Sequence, residues 1–430
     1  MRKFGGVSVP RLKNTAGSVP EPLSAPSEVK LPMSMHFGTP ANLVVKVGDA
    51  VQVGQVIGEA SGPVSAPVHA SVSGTVKSID QVNTLTGERA VTVTIASDGN
   101  QTPWEGIAPP QSIAGPAEFL EAVRNSGAVE PGSSGLPTAY ELALDDYGKL
   151  EYLLVNGLES EPYITSDARA MTDDVESVWE GVQLLKTYLN PKNLIICIEN
   201  DKPEAAKKIK ALSAGKTGIE VREFPPLYPQ GQKNVLAYSV TGRAAQEGQR
   251  LADVGCIVIS CTAVAAIARY VRTGSPLVSR CVTVDGPAVK NPKNVTVPLG
   301  TPVSALIDHC GGLNDDAKKI IVGGPMTGAA VPTMDIPVVK TTSAVLAFSG
   351  KGAEPPEASA CIKCGRCAAV CPMRLIPAYI ENAFGLKKTE QLRDYKVTMC
   401  VECGCCAYSC PAKRPLAQVV TLAKNLLEAK

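Results

Sequence analysis

The sequence predicts a multidomain chain of the α/β-plus-β class, with an all-β unit, an open α/β domain, a small mixed β unit and a helical, cysteine-rich end. Three observations predict it. Short alternating strands separated by glycine turns fill residues 43–79, and helix-period and strand-like segments alternate over about 117–270. Near the C-terminus, eight cysteines fall in two nearly identical runs, each closed by a proline.

Composition sets the outer limits. A chain of 430 residues is long enough for several domains, each with its own core. The 42 basic residues balance 41 acidic ones, so the charge implies no nucleic-acid partner. Aromatic residues make up only 4%, whereas 38 glycines and 34 prolines point to compact, turn-rich modules. The opening "MRKFGGVSVPRLK" is basic but lacks the apolar stretch of a secretory signal. The most hydrophobic stretch, "VGCIVISCTAVAAIA" (254–268), falls short of the roughly 18 apolar residues that a spanning helix needs. It predicts a buried strand running into a helix, so a membrane link would come through a partner. Fourteen cysteines without a signal peptide predict metal ligation in a reducing compartment rather than a disulfide framework.

The elements follow in order. Residues 1–30, rich in proline and serine, predict an extended arm. Residues 31–100 predict the all-β unit, whose text resembles the barrel-sandwich hybrid of biotinyl and lipoyl domains. Its "ASGPVSA" turn lacks the carrier lysine, so a structural or docking role is expected. Residues 101–116 are a linker by their proline and glycine content. Over 117–275, "AEFLEAVRNSG", "VESVWEGVQLLKTYL" and "KPEAAKKIKAL" carry helical spacing, while "LEYLLVNG" and "NLIICIEN" read as strands. Residues 276–352 begin with "RCVTVDGPAVKNPKNVTVPLGTPVSALIDHCGG", expected to give two strands, a turn, a third strand and a helix, which fits a β-grasp unit. Later in the same unit, "GGPMTG" (323–328) reads as a turn. The final unit, 353–430, holds the cysteine runs and a terminal helix, "PLAQVVTLAKNLLEA".

Each run is C-x2-C-x2-C-x3-C-P, the spacing at which thiolates on a tight turn entering a helix cap three irons of a cubane. In two-cluster ferredoxins the fourth cysteine serves the other cluster. That rule assigns Cys361, Cys364, Cys367 and Cys410 to one [4Fe-4S] cluster, and Cys400, Cys403, Cys406 and Cys371 to the other. Pro372 and Pro411 would turn the chain away from the clusters. A pair of zinc sites is the alternative, although a repeated three-plus-one pattern is wasteful for zinc. Cys405 is expected as a small packed residue beside Cys406, and Cys197 and Cys256 as core. Cys261, Cys281 and Cys310 have no partner at metal-binding spacing. Lys363, Arg366, Lys413 and Arg414 flank the first cluster, whereas the second has Glu402 in its loop and Arg374 as its only expected cation. The first should therefore be easier to reduce.

This order of modules resembles the C subunit of the Rnf electron-transport complex, as a divergent member, over nearly the whole chain. The stretches that carry the likeness include "SAPVHASVSGTVKSI", "LVNGLESEPYIT", "YPQG", "ADVGCIV" and "KIIVGGPMTG". The α/β and β-grasp parts are also similar to the flavin-bearing subunit of respiratory complex I. The resemblance implies an electron-transfer subunit of an ion-translocating NAD:ferredoxin oxidoreductase, peripheral on the cytoplasmic face of the membrane. Its implied partners are the other subunits, NADH and a ferredoxin-type protein, with FMN as the converter between paired and single electrons. In the family, FMN lies on a glycine loop that matches "SGAVEPGSSGLPTAYEL" (126–142), with Gly132, Gly135 and Thr138 retained. The loop "NGLESEP" (156–162), with Asn156, Glu159 and Glu161, would lie beside the flavin ring.

Several positions depart from the family pattern. Pro131 removes an amide donor, Ser133 and Ser134 replace small flexible residues, and Lys233 stands where an acid is expected. The family's N-V-x-T loop reads Ser260-Cys261-Thr262-Ala263. The FMN site is thus expected to bind weakly or not at all. Two alternatives follow: a paralogue feeding another reductase, or a corrinoid-binding redox module. His36, His69 and His309 are expected in structural hydrogen bonds, leaving any catalysis to cofactors.

Overall fold

A computed structural model describes residues 5–85, 87–132 and 135–428. The all-β unit consists of two small sheets. The first orders Glu28–Pro32, Arg89–Ser97, Gly74–Asn83 and Ala50–Val51, all antiparallel; the second orders Asn42–Leu43, Val56–Glu59 and Val68–His69. Glu28–Pro32 crosses the expected boundary between arm and β unit, because Val29 and Leu31 are apolar on alternate positions and both are fully buried.

The α/β domain holds a four-stranded parallel sheet in the order Ile219–Phe224, Asn193–Glu199, Tyr152–Gly157 and Cys256–Ser260. Helices cover both faces, which is why "NLIICIE" is a nearly continuous apolar run buried from Leu194 to Glu199. The predicted helices form at Pro116–Asn125, Val175–Leu189 and Pro203–Ser213. The stretch from 254 divides as expected into the strand Cys256–Ser260 and the helix Cys261–Thr273. The Ser260 hydroxyl caps that helix by accepting from the Ala263 amide, and Gly274, at φ 76°, ends it. Gly181 lets Val175–Leu189 cross it closely, since a Cβ there would lie 2.4 Å from the Val264 carbonyl.

The third unit is a six-stranded mixed sheet ordered Glu21–Pro22, Lys293–Pro298, Ser279–Asp285, Ala344–Ser349, Ala317–Val322 and Ala329–Ala330. Residues 280–312 contribute two antiparallel strands and the helix Val303–His309; the expected third strand is absent because "GTPVSAL" goes straight from turn to helix. The arm is built in. Glu21–Pro22 pairs in parallel with Lys293–Pro298, Thr15 is buried, and Asn294 Nδ2 donates to the Thr15 and Ser18 carbonyls at 3.0 and 3.1 Å. The β unit and the six-stranded sheet share one hydrophobic core, from Val29 and Leu31 to Val297 and Val345.

Candidate functional site

The two cysteine runs fold alike. Lys363 and Glu402, Gly365 and Gly404, and Arg374 and Lys413 are equivalent positions of the two runs, and all six have positive φ. Gly365 and Gly404 each start a short helix, Arg366–Ala369 and Cys405–Tyr408, and these helices pack together. The two runs meet in the backbone. The Ser359 amide donates to the Ala412 carbonyl at 2.9 Å, which sets the chain just before Cys361 beside the chain just after Cys410. Arg414, whose Nε donates to Glu381 at 2.7 Å, also reaches the Ser359 carbonyl.

One small cavity is lined by Cys371 of the first run together with Cys400, Cys403 and Cys406 of the second. Apolar Met373, Leu375, Ile380 and Val420 close it. Backbone amides already point at the sulfurs: Leu375 N–H donates to Cys371 Sγ and Glu402 N–H to Cys400 Sγ, both at 3.3 Å. Such N–H···S bonds stabilise thiolate charge and tune cluster potential. Burial pushes the Cys400 thiol up to about 11 and that of Cys406 up to about 12, so metal binding here would displace protons. Cys403 is shifted down by its hydrogen bond with Cys405, which is fully buried. Among the described residues, no three His, Cys, Asp or Glu side chains converge as they would on a single ion. A cubane does not need them to, because each sulfur binds a separate corner.

The first-run site differs in exposure. Cys361 and Cys364 are exposed and Cys367 is partly buried, whereas Cys403 is buried. Its cationic surroundings are also less distinct than the sequence suggested. Arg414 is neutralised by Glu381, and Glu402 is paired with Lys424 of the terminal helix, a cation the local sequence of the second run does not contain.

The buried site abuts the rest of the molecule. Tyr228 Oη donates to the Cys403 carbonyl at 2.6 Å, and the Val7 and Tyr228 backbones exchange hydrogen bonds at 2.8 and 3.2 Å. The Gly6 amide donates to the Val370 carbonyl at 2.8 Å. A Cβ on Gly404 would lie 2.8 Å from the Met326 carbonyl, in the predicted "GGPMTG" turn. That turn is held by Glu161, whose carboxylate accepts from the Met326 amide at 3.1 Å and the Thr327 hydroxyl at 2.6 Å.

The other residues expected beside a flavin have partners of their own. Asn156 Nδ2 donates to the Gly231 carbonyl at 2.8 Å, and its Oδ1 accepts from the Leu158 amide at 3.1 Å. Glu159 accepts from the Asp167 amide at 2.7 Å; burial pushes its carboxyl up to about 7, against the pull of Lys13. Gly132, at φ 69°, donates its amide to the Thr341 carbonyl at 3.1 Å, and the Gly135 carbonyl accepts from Phe37 at 2.7 Å. The buried Thr138 hydroxyl has no partner among the described residues. Ser133 and Ser134 lie outside the described residues.

Sequence reasoning passed over four side chains here. From the arm, Arg11 pairs with Glu199 and Asp201, and Lys13 Nζ donates to the Glu159 and Glu161 carbonyls, both at 2.8 Å, and to that of Ile164. They fill the carboxyl ends of the parallel strands, where open α/β sheets usually bind ligands. Lys340, fully buried, donates to the Pro67 and Gly127 carbonyls at 2.6 and 2.7 Å, next to His69, whose Nδ1 has no partner among the described residues. The fourth is Glu130. An acid inside a glycine loop was its only signal. His36 and His309 do make the expected structural bonds, His36 Nε2 accepting from Ala66 and His309 facing Glu21.

Comparison with known proteins agrees with this architecture. Residues 2–100 match the RnfC barrel sandwich hybrid domain, 123–269 the Nuo51 FMN-binding domain, 281–330 the SLBB domain and 360–413 the 4Fe-4S dicluster domain. The chain is 36% identical over 383 residues to the C subunit of the Na(+)-translocating ferredoxin:NAD(+) oxidoreductase complex of Acetobacterium woodii, covering 87% of this chain and 86% of that one. It is also 36% identical over 417 residues to the C subunit of the proton-translocating ferredoxin:NAD(+) oxidoreductase complex of Clostridium ljungdahlii, covering 96% and 91%. A solved NAD+-reducing [NiFe]-hydrogenase chain shares 16% identity at a TM-score of 0.49, over 64% of this chain and 53% of the other. Fold and cysteine pattern together define an iron–sulfur electron-transfer protein. Within that class, the chain belongs to the family of C subunits of Rnf-type ferredoxin:NAD+ oxidoreductase complexes.

Proposed function

We propose that the chain is the iron–sulfur electron-transfer subunit of an Rnf-type complex, serving traffic between NADH-linked and ferredoxin-linked partners at a membrane. Among the described residues no helix is long and apolar enough to cross a membrane, so association would run through the other subunits. The observation that carries the reading is the cavity in which Cys371 of one run joins Cys400, Cys403 and Cys406 of the other. Cys361, Cys364, Cys367 and Cys410 would hold the second cubane. Bound cubanes would supply one-electron carriers at two depths in the protein. The chain's own residues do the rest. Met373, Leu375, Ile380 and Val420 keep water from the inner site, and the amides of Leu375 and Glu402 hold thiolate charge. Exposed Cys361 and Cys364 leave the outer site open to a redox partner.

The test is a count of iron and labile sulfide after anaerobic reconstitution, expected at about eight of each per chain. Zinc at about two per chain would refute the reading. Cys371→Ala should remove roughly half the iron and the signal of the cluster held by the second run. Loss of the first-run cluster alone would overturn the crossed ligation.

A further inference from the structure

Among the described residues, the domain that matches an FMN-binding family presents no free helix start for the phosphate of FMN. The start of the helix Cys261–Thr273 faces the loop after Gly127, and a helix start of this kind favours an anion. Here the group at that helix start is part of the chain. The Ser260 amide donates to Glu130 Oε2 at 3.0 Å, and Glu130 is buried with its Oε1 unpartnered among the described residues. A second buried carboxylate, Glu141, adds like charge to Glu130, and the cation beside it, Lys233, is bound to it at 2.7 Å. Burial and Glu141 push the Glu130 carboxyl up to about 7, as expected for acids crowded out of water.

Three amides among the loop's described residues are also committed elsewhere. The amides of Glu130, Gly132 and Thr138 donate to Leu136, Thr341 and Ala128, and Pro131 has none to offer. The Thr138 hydroxyl is a neutral donor, but it is fully buried and cannot balance two added phosphate charges.

We infer that Glu130 is an internal substitute for the flavin phosphate, and that this chain holds no FMN and exchanges electrons singly with one-electron carriers. A hydride brings two electrons and a proton together, whereas a cubane takes one electron. Without flavin, reduction by NADH therefore requires a flavoprotein partner to split the pair. This goes beyond the reading as an electron-transfer subunit and leaves that reading standing.

The test is FMN fluorescence titration of the reconstituted, cluster-loaded chain, with iron counted in the same samples. Wild type should retain less than about 0.1 FMN per chain after gel filtration at micromolar concentration. Glu130→Gly combined with Glu141→Gln, which frees both the helix start and Lys233, should bind FMN at least roughly tenfold more tightly. Glu130→Gln keeps the acceptor on Ser260 and should fold as wild type while staying flavin-poor. Stoichiometric FMN in wild type overturns the inference, as does a Glu130→Gln chain that binds as tightly as the opened variant. If the opened variant fails to fold, NADH added to wild type decides instead: bleaching of the cluster absorbance by NADH alone overturns the inference, and bleaching by dithionite only supports it. Low iron, by contrast, would count against the electron-transfer reading.

Discussion

Gly365 and Gly404 offer a controlled comparison, because they share a backbone conformation but not an environment. Both begin a short helix at φ 73°, with ψ −2° and −5°. Alanine at either position must adopt the left-handed region, which costs about 1–2 kcal/mol. At Gly365 nothing lies within 4 Å of the added Cβ, so the cost should end there. At Gly404 the Cβ would stand 2.8 Å from the Met326 carbonyl, a backbone atom pinned by Glu161, so relief requires moving the turn or the cluster loop. Overpacking of this kind adds about 1–3 kcal/mol. Gly404→Ala should therefore destabilise the cysteine-rich unit by about 2–5 kcal/mol and reduce cluster occupancy mainly at the second run, while Gly365→Ala keeps both clusters. Iron content, paramagnetic resonance of each cluster and urea unfolding monitored by cluster absorbance would measure this. Equal losses for the two variants would refute the idea that docking against the "GGPMTG" turn holds the inner site.

Other expectations concern the buried charges and the clusters. Lys340 is held by burial at about 7; its unfolded value is roughly 10.4, so the unfolded chain binds the extra proton between the two and stability should rise with pH across that window. Lys340→Met should flatten that rise in denaturant midpoints; an unchanged slope would mean that Lys340 stays charged in the fold. Lys13→Met strips the cation from three backbone carbonyls and should cost about 2–4 kcal/mol, seen as faster proteolysis within residues 158–165. Protease resistance equal to wild type would show that the arm does not hold that loop. In a redox titration, the cluster at exposed Cys361 and Cys364 should be reduced before the one at buried Cys403, because burial disfavours added negative charge. The reverse order would mean that hydrogen bonds to sulfur, not burial, govern the potentials.

Much of the architecture was legible because it is written locally. Three of the four parallel strands are apolar runs flanked by helical spacing, and the two cysteine runs repeat the same cysteine and proline spacing. The expectation that Cys371 joins the second run came from the fourth-cysteine rule of two-cluster ferredoxins, with no knowledge of the cavity. What was hidden depends on distant partners. Nothing near Glu402 announces Lys424, and the arm's lysine and arginine have meaning only against Glu159 and Glu199, far along the chain. The flavin loop was half legible. Pro131 and the serines flagged a weakened cradle, but that Glu130 would turn inward to the Ser260 amide required the fold.

The parallel pairing of Glu21–Pro22 with Lys293–Pro298 has a consequence for biogenesis. A ribosome must have released nearly three hundred residues before the first twenty-odd find their place. The β unit, which is translated early, cannot complete its core until Val282, Val295 and Val297 arrive. During synthesis the nascent chain therefore carries apolar strands with open edges, a state prone to aggregation that chaperones bind. Severing the chain between its apparent modules would make that transient state permanent, so the segments should be poorly soluble when expressed separately and recover when the N-terminal third and the 276–352 segment are co-expressed.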